Sequence, residues 1–567
     1  MSQSESSSIR PPVLQAASVY QSTPSRQTRE LNPDAGLKPY QVTLITIGSA
    51  INTGLLIAFG NALSRSGPAS TLISYTFVGA IVFLVLSALG EVASFSPEPT
   101  TVHTHANRFC GPSLGFTLGW IYWLKYMMLI ISQLTAGIVV IKYWKQDRAG
   151  DLTPAQIGEI ATYITVFLFV IVGMNYWSSQ FLGRYEVVLS SFKVLIVLGL
   201  MILSLVIACG GGPSSERKGY NYWKMPEAFN ESKDWDALGV FRAIFRTFPS
   251  TTLSYLGTEL IGMAVLHTRE PRKAAARAVK QTFYRILAFN LVVVTLLGMA
   301  VPPDDDELAL PTYASKRSAS AFVVAVQMAR IPVLPHILNA CILIFVVSAA
   351  GRSLCMAARI IHELSMEKHA PVFLRQTDKR GVPVYALGFS AFPALLGYLN
   401  LVRFSGHLWT YLVNLVTMFS ILTWVSILMI HISFVRACKS DQIPPGEIPF
   451  KAPFGVTGSW IALVLSISIP VMRAIELSDR KFYDKGIDVG AFVTSYLGIP
   501  LYLILVLGYK VVINRQTRQN ETRVESLPVR QSLQSLRGTE TDGAGLYEVS
   551  AREKTLWKGR RIPLWLL

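Results

Sequence analysis

The chain is short of charge. Only 15% of its 567 residues are Asp, Glu, Lys or Arg, where a soluble domain carries about a quarter. That shortage excludes a large water-facing core wrapped in a charged surface. Cysteine is scarce too: Cys110, Cys209, Cys341, Cys355 and Cys438 are all there is. None forms a C-x-x-C pair, which excludes a disulfide framework and a zinc cluster. No nucleophile–base pair or metal-ligand group emerges, so neither an enzyme nor a cofactor is expected. The first forty residues also lack the apolar stretch of a cleavable signal peptide, so the first spanning helix is expected to direct insertion.

What the chain has instead is apolar length. Hydrophobic residues make up 51%, and mean hydropathy is +0.40. Twelve runs approach the roughly 20 residues a bilayer requires. They lie at about 41–63, 71–95, 115–144, 159–177, 185–210, 239–266, 283–302, 320–350, 383–401, 407–436, 455–475 and 489–513. The expected fold is therefore an all-α polytopic membrane protein. A transporter domain at 39–513 is expected between polar cytoplasmic tails at 1–38 and 514–567.

The net charge of +17 is read as a loop property, not as a nucleic-acid surface, because no basic stripe interleaves with aromatics. The segment after the sixth run carries Arg269, Arg272, Lys273, Arg277, Lys280 and Arg285 against Glu270. The segment after the seventh is acidic, with Asp304, Asp305, Asp306 and Glu307. Positive loops stay in the cytoplasm, which puts both termini there.

Two of the runs are interrupted by glycine. The first reads Gly48-Ser49-Ala50-Ile51-Asn52-Thr53-Gly54, and the sixth reads Ser254-Tyr255-Leu256-Gly257-Thr258-Glu259. Unwound backbone survives in a bilayer only where protein buries it or it lines a wet cavity. Breaks at matching positions in two halves of a membrane protein point to a transporter's binding site.

Several motifs fall in order along the chain. They are Ala88-Leu89-Gly90-Glu91, Gly119-Trp120-Ile121-Tyr122-Trp123, Ser191-Phe192-Lys193-Val194, Gly257-Thr258-Glu259-Leu260 and Pro271-Arg272-Lys273. Val333 to Ala340, His431-Ile432-Ser433-Phe434 and Pro449-Phe450-Lys451-Ala452-Pro453 complete the series. From about residue 36 to 510 the chain resembles fungal amino acid permeases of the yeast amino acid transporter group, within the amino acid–polyamine–organocation superfamily. The resemblance implies a five-plus-five inverted repeat with discontinuous helices one and six and two peripheral helices. It also implies a secondary active transporter in the plasma membrane, moving amino acids by alternating access with proton symport. The expected partners are an amino acid or related small amine, a proton and the lipid bilayer.

An amino acid brings a carboxylate and an ammonium, and both must be satisfied away from bulk water. Exposed N–H groups at a half-helix start suit the carboxylate, so Ile51, Asn52, Thr53 and Gly54 are expected to bind it. Free carbonyls suit the ammonium, which places Tyr255, Leu256 and Gly257 opposite, with the Tyr255 ring either a lid over the substrate or a packed aromatic. Lys193 sits well inside the fifth run, where a charge is costly and faces a cavity or partner. In relatives a lysine here occupies the ion site of sodium-driven cousins, so Lys193 is the candidate proton-responsive group, or else a permanent cation propping helices one and eight. Glu259 is expected to order the unwound part of helix six or pair with a gating group. Lys125 is expected to snorkel outward, and Glu91 to be a structural acceptor.

The sequence departs from the family pattern at sensitive places. Asn52 stands where relatives carry glycine, and is expected either to read the substrate or to shrink the site. Gln133 replaces an expected glutamate, and Leu266-His267 replaces Gly-Glu. His267 is a candidate for proton exchange near neutral pH or a residue at the helix edge. In the eighth run, S-A-G-N becomes Ser348-Ala349-Ala350-Gly351, followed by Arg352. Two further readings stay open: a transporter-like nutrient sensor, and a permease for polyamines or another amine metabolite.

Overall fold

The computed structural model describes residues 48, 51–95, 101–144, 154–177, 179–211, 219–225, 227–229, 237–257, 286–305, 308, 320–331, 333–401, 405–440, 442, 448, 450–478 and 489–525. No β-strand occurs among them. Helix is what hydrocarbon demands of these runs, because every backbone N–H and C=O must pair within its own segment. Nine helices among the described residues are long and apolar enough to cross a membrane.

The first of these, α1 (Gly54–Phe95), has 42 residues. It is two helices run together and divided at the non-helical Gly67. It therefore has length for both the first and second predicted runs. Its bend is at Gly67, with φ 77° and ψ 170°, a backbone state that favours glycine. Pro68 follows and supplies no N–H; Ala69 donates outward to the Ala228 carbonyl at 3.0 Å.

A short helix α2 (Val102–Phe109) leads into α3 (Pro112–Lys142). Then come α4 (Pro154–Trp177) and α5 (Ser179–Ala208). The sixth run folds as α6 (Ala237–Arg246) and α7 (Phe248–Tyr255), and its description stops at Gly257. The seventh gives a π-helical turn and α8 (Val292–Ala300).

Predicted run eight needs correction. Instead of one helix over 320–350, α9 (Ala321–Met328) ends early and α10 (Leu334–Met366) runs well past the expected end. Arg330 at φ 55° and Val333 at φ 69° divide them. Pro332 and Pro335 in the sequence remove two donors at this point. Helix α11 (Val384–Ala391) continues as a 3-10 stretch to Leu401, followed by α12 (Ser405–Ser440), α13 (Gly455–Ser478), α14 (Val489–Tyr496) and α15 (Gly498–Glu525).

Burial sorts these helices. In α3, 83% of the apolar window is buried, and in α12 78%, but in α4 only 17%. So α3, with α10 and α12 packed on it, forms the centre. Phe169 on α4, Leu195 on α5 and Val464 on α13 are exposed apolar side chains, as lipid-facing positions require.

Two polar nodes tie the helices. Glu91 near the end of α1 accepts from His431 Nε2 of α12 at 3.0 Å and from the Ala452 N–H at 2.8 Å. His431 Nδ1 lies 2.8 Å from Ser459 Oγ of α13. Glu91 and His431 are buried, and the expected acceptor role of Glu91 matches these contacts. In the second node, Thr104 and Asn107 of α2 donate to Glu367 at the end of α10, at 2.9 and 3.0 Å. His103 and His369 also approach Glu367, each at 3.5 Å. Burial works to raise the Glu367 carboxyl, but hydrogen bonds from His103 and His369, the His103 charge and the Thr104 bond outweigh it. The carboxyl is held below the ordinary range.

Lys125 does not snorkel. It is buried in α3, with Nζ 4.0 Å from the Tyr122 ring centre and 4.8 Å from that of Tyr126. Two ring faces offset part of the cost of burying the charge.

Candidate functional site

Both glycine-marked segments leave the helical path among the described residues, and they meet. Ile51 and Asn52 are non-helical, and helix resumes at Thr53 with a π-helical turn over Gly54–Ala58. Opposite, α7 stops at Tyr255; Leu256 is extended (φ −63°, ψ 152°) and Gly257 turns to φ 81°. Gly54 makes the approach possible, since a Cβ there would overlap the Leu253–Ser254 backbone. This glycine is a packing requirement.

Asn52 fastens one interruption to the other. Its Nδ2 group donates to the carbonyls of Leu253 (3.1 Å), Ser254 (3.0 Å) and Leu256 (3.0 Å). Its Oδ1 accepts the Leu55 N–H at 3.2 Å, which satisfies one of the orphan donors of a helix start. Beside it, the buried Thr53 hydroxyl donates to Gln133 Oε1 of α3.

A cavity lies against this junction, with about 430 Å³ of empty space that includes the open solvent at its mouth. Asn52, Thr53, Leu253, Leu256 and Gly257 supply the wall from the interruptions. Tyr126, Leu129 and Gln133 come from one face of α3, and Ala349, Arg352 and Ser353 from one face of α10. Both sets follow helical spacing. Arg352 is the one charged side chain among the described lining residues.

The predicted site residues thus separate into groups. Asn52, Thr53, Leu256, Gly257 and Gln133 line the cavity. Ile51 is buried beside it, and Gly54 serves the close approach. Tyr255 does not form a lid: its hydroxyl donates to the Tyr75 carbonyl at 2.8 Å, and its ring lies 5.9 Å from that of Tyr75.

Lys193 is fully buried on α5, with Nζ 3.4 Å from Ser348 Oγ of α10 and 5.7 Å from the Phe345 ring centre. Its contact Ser348 directly precedes Ala349 of the cavity lining on α10. Glu259 and His267 lie outside the described residues.

Arg352, Tyr126 and Ser353 were not singled out from sequence as site residues. Arg352 lies two residues beyond the run read at 320–350, and only the extent of α10 (Leu334–Met366) puts it inside a helix.

Comparison with known proteins agrees with this architecture. The amino acid permease family model matches residues 41–522. The dicarboxylic amino acid permease of Saccharomyces cerevisiae is 39% identical over 481 residues, covering 84% of this chain and 77% of the relative. The cationic amino acid transporter 1 of Schizosaccharomyces pombe is 32% identical, covering 84% and 78%. The basic amino-acid permease of Saccharomyces cerevisiae is 30% identical, covering 84% and 80%. These relatives are transporters and not enzymes. With a family match over most of its length and helices built to sit in lipid, this chain belongs to the amino acid permease family, as a multi-pass membrane protein of amino acid transport.

Proposed function

We propose that this protein is a secondary active transporter that carries acidic amino acids across the plasma membrane by alternating access, together with protons. The carrying observation is a cavity bounded by the Asn52–Thr53 and Leu253–Gly257 segments and lined by Arg352. In this reading the chain makes twelve crossings with both termini cytoplasmic. Runs one to five and six to ten form an inverted repeat, which brings the two interrupted helices together at mid-membrane.

The named cargoes of the relatives differ: dicarboxylic, cationic and basic. Arg352 supports the first. A guanidinium grips a carboxylate through paired, charge-assisted bonds and repels a cationic side chain, which gives discrimination from both directions. The backbone at the interruptions then takes the α-carboxylate and α-ammonium, and Arg352 the side-chain carboxylate.

Charge arithmetic constrains the coupling. An acidic amino acid carries one net negative charge, so one accompanying proton makes the step electroneutral. The membrane potential, worth about 2.3 kcal/mol per charge per 100 mV, then contributes nothing. Accumulation follows the pH difference instead, about tenfold per unit, since about 1.4 kcal/mol is tenfold. A second proton restores the voltage drive. Lys193, buried against Ser348, is the group we assign to proton coupling.

The test is uptake of radiolabelled L-aspartate, L-glutamate, L-alanine and L-lysine by the full chain reconstituted in liposomes, at two external pH values. Acidic amino acids are expected to accumulate, and more so at the lower pH. Lys193→Ala is expected to lose accumulation while keeping exchange. Preference for L-lysine would overturn the role of Arg352, and unchanged pH-driven accumulation in Lys193→Ala would overturn that of Lys193. Specific binding without flux would make the protein a sensor.

A further inference from the structure

The Asn52 amide sits in a site with one more acceptor than it has hydrogens. Three carbonyls, Leu253, Ser254 and Leu256, converge on Nδ2 at 3.0–3.1 Å, yet a side-chain amide offers two N–H donors. An ammonium offers three, and it is charged. Charge-assisted bonds are roughly twice as strong as neutral ones. The carbonyl geometry is that of a cation site, and a neutral group of this chain's own occupies it. Leu256 is also part of the cavity wall, so the carbonyls lie where a solute in the cavity can compete for them.

We propose that Asn52 is a self-ligand: it holds the three carbonyls until the ammonium of a substrate displaces it. The inference rests on the amino-acid reading above. It assigns Asn52 a specificity role that a bare-backbone residue cannot have. Leu253 and Ser254 lie at the end of α7 and Leu256 just past it; carbonyls short of donors at a helix end in a low-dielectric site are costly, and the amide lessens that cost between transport cycles. The same contact sets a threshold, because a solute must bring a group that outcompetes the amide. An ammonium does so with its charge and third donor. Release is local: the Asn52 side chain rotates away, and Oδ1 gives up the Leu55 N–H. A solute lacking the amine leaves the amide in place and binds only through its carboxylates.

The consequence is a preference that Asn52 moderates. With the amide removed, amino acids no longer compete against it and gain affinity, while amine-free analogues gain nothing. The experiment measures inhibition of labelled amino-acid uptake in liposomes holding the full chain. L-aspartate and L-alanine are compared with their amine-free counterparts, succinate and propionate, in the wild type, Asn52→Gly and Asn52→Asp. Asp at position 52 keeps an acceptor for the Leu55 N–H, so it guards against loss of the helix start in the Gly variant.

Both variants are expected to raise the discrimination between amino acid and amine-free analogue about fivefold, one neutral hydrogen bond's worth. The gain is expected in the amino-acid constant alone. Unchanged discrimination in an active variant overturns the self-ligand. So does a parallel weakening of all four compounds, which is what a merely structural Asn52 would give. If the wild type takes up no amino acid, the transport reading falls, and this inference with it.

Discussion

Two polar regions of this protein are built in opposite ways. At the Glu91 node, one carboxylate, one imidazole, one hydroxyl and one backbone N–H close on each other between 2.8 and 3.0 Å, with the key side chains buried. At the cavity, polar groups line empty space beside an interrupted backbone, and the described lining carries a single charge. The first arrangement spends its hydrogen bonds on holding three helices together. The second keeps donors and acceptors within reach of a solute. The residues differ in origin as well. Glu91, His431 and Ala452 all belong to motifs that carry the family resemblance, whereas Asn52, Gln133 and Arg352 are among or beside the departures from it. In this chain the shared pattern supplies the frame and Gly257 of the cavity wall, and the departures add Asn52, Gln133 and Arg352 to the cavity.

That contrast can be broken most forcefully at Arg352. Arg352→Ala is expected to lower kcat/KM for L-aspartate by about 10²–10³-fold, since losing a buried charge partner costs 2–5 kcal/mol or more. L-alanine uptake should change far less. Equal losses for both would make Arg352 part of the frame.

Glu91→Ala is the reverse case. It leaves His431 and the Ala452 N–H unsatisfied, and is expected to cost about 3 kcal/mol of stability. Thermal unfolding in detergent checks this. Substrate preference in the surviving protein should stay as in the wild type; a changed preference would erase the division between frame and cavity.

A smaller effect sharpens the frame side through pH. His105 on α2 is buried, and burial first, then the charges of Arg108 and His103, lower its pKa to about 4. Between that value and its ordinary 6.5 the unfolded chain binds the proton and the fold does not. Stability therefore falls as pH drops below about 6.5, by roughly 2 kcal/mol on reaching pH 5. His105→Gln should flatten that acid limb, read as melting temperature against pH. A limb unchanged by the substitution would remove His105 from the account.

The smallest effect belongs to the cavity. Thr53→Val deletes the hydrogen bond to Gln133 at about 1 kcal/mol. It is expected to change L-aspartate affinity about fivefold while leaving thermal stability nearly intact. The opposite pairing, a large melting shift with unchanged affinity, would move Thr53 to the frame.

Much of this was legible before any coordinates. Apolar run length marks the helices because hydrocarbon leaves the backbone no other choice. The glycines marked the two interruptions because only their backbone tolerates the turn at Gly257 and the close approach at Gly54. Side-chain direction was not legible. Tyr255 and Leu256 are neighbours, yet one packs on α1 and the other faces the cavity. The end of α7 decides that, not composition. Lys125 was misread for a related reason: sequence shows a charge in an apolar helix but not the two tyrosine rings placed to receive it. Arg352 went unassigned because only the packing of α10 on α3 reveals that it lines the cavity. The limits of α10 were misplaced because the two prolines near its start were not weighed against apolar run length.

The account stands or falls on where an amino acid sits. Cryo-electron microscopy of the full chain in nanodiscs with saturating L-aspartate measures that directly. The predicted result is density between the Asn52–Thr53 and Leu253–Gly257 segments, with Arg352 against its side-chain carboxylate and the Asn52 amide withdrawn from the carbonyls. Density bound elsewhere, with Asn52 still joined to Leu253, Ser254 and Leu256, would contradict it.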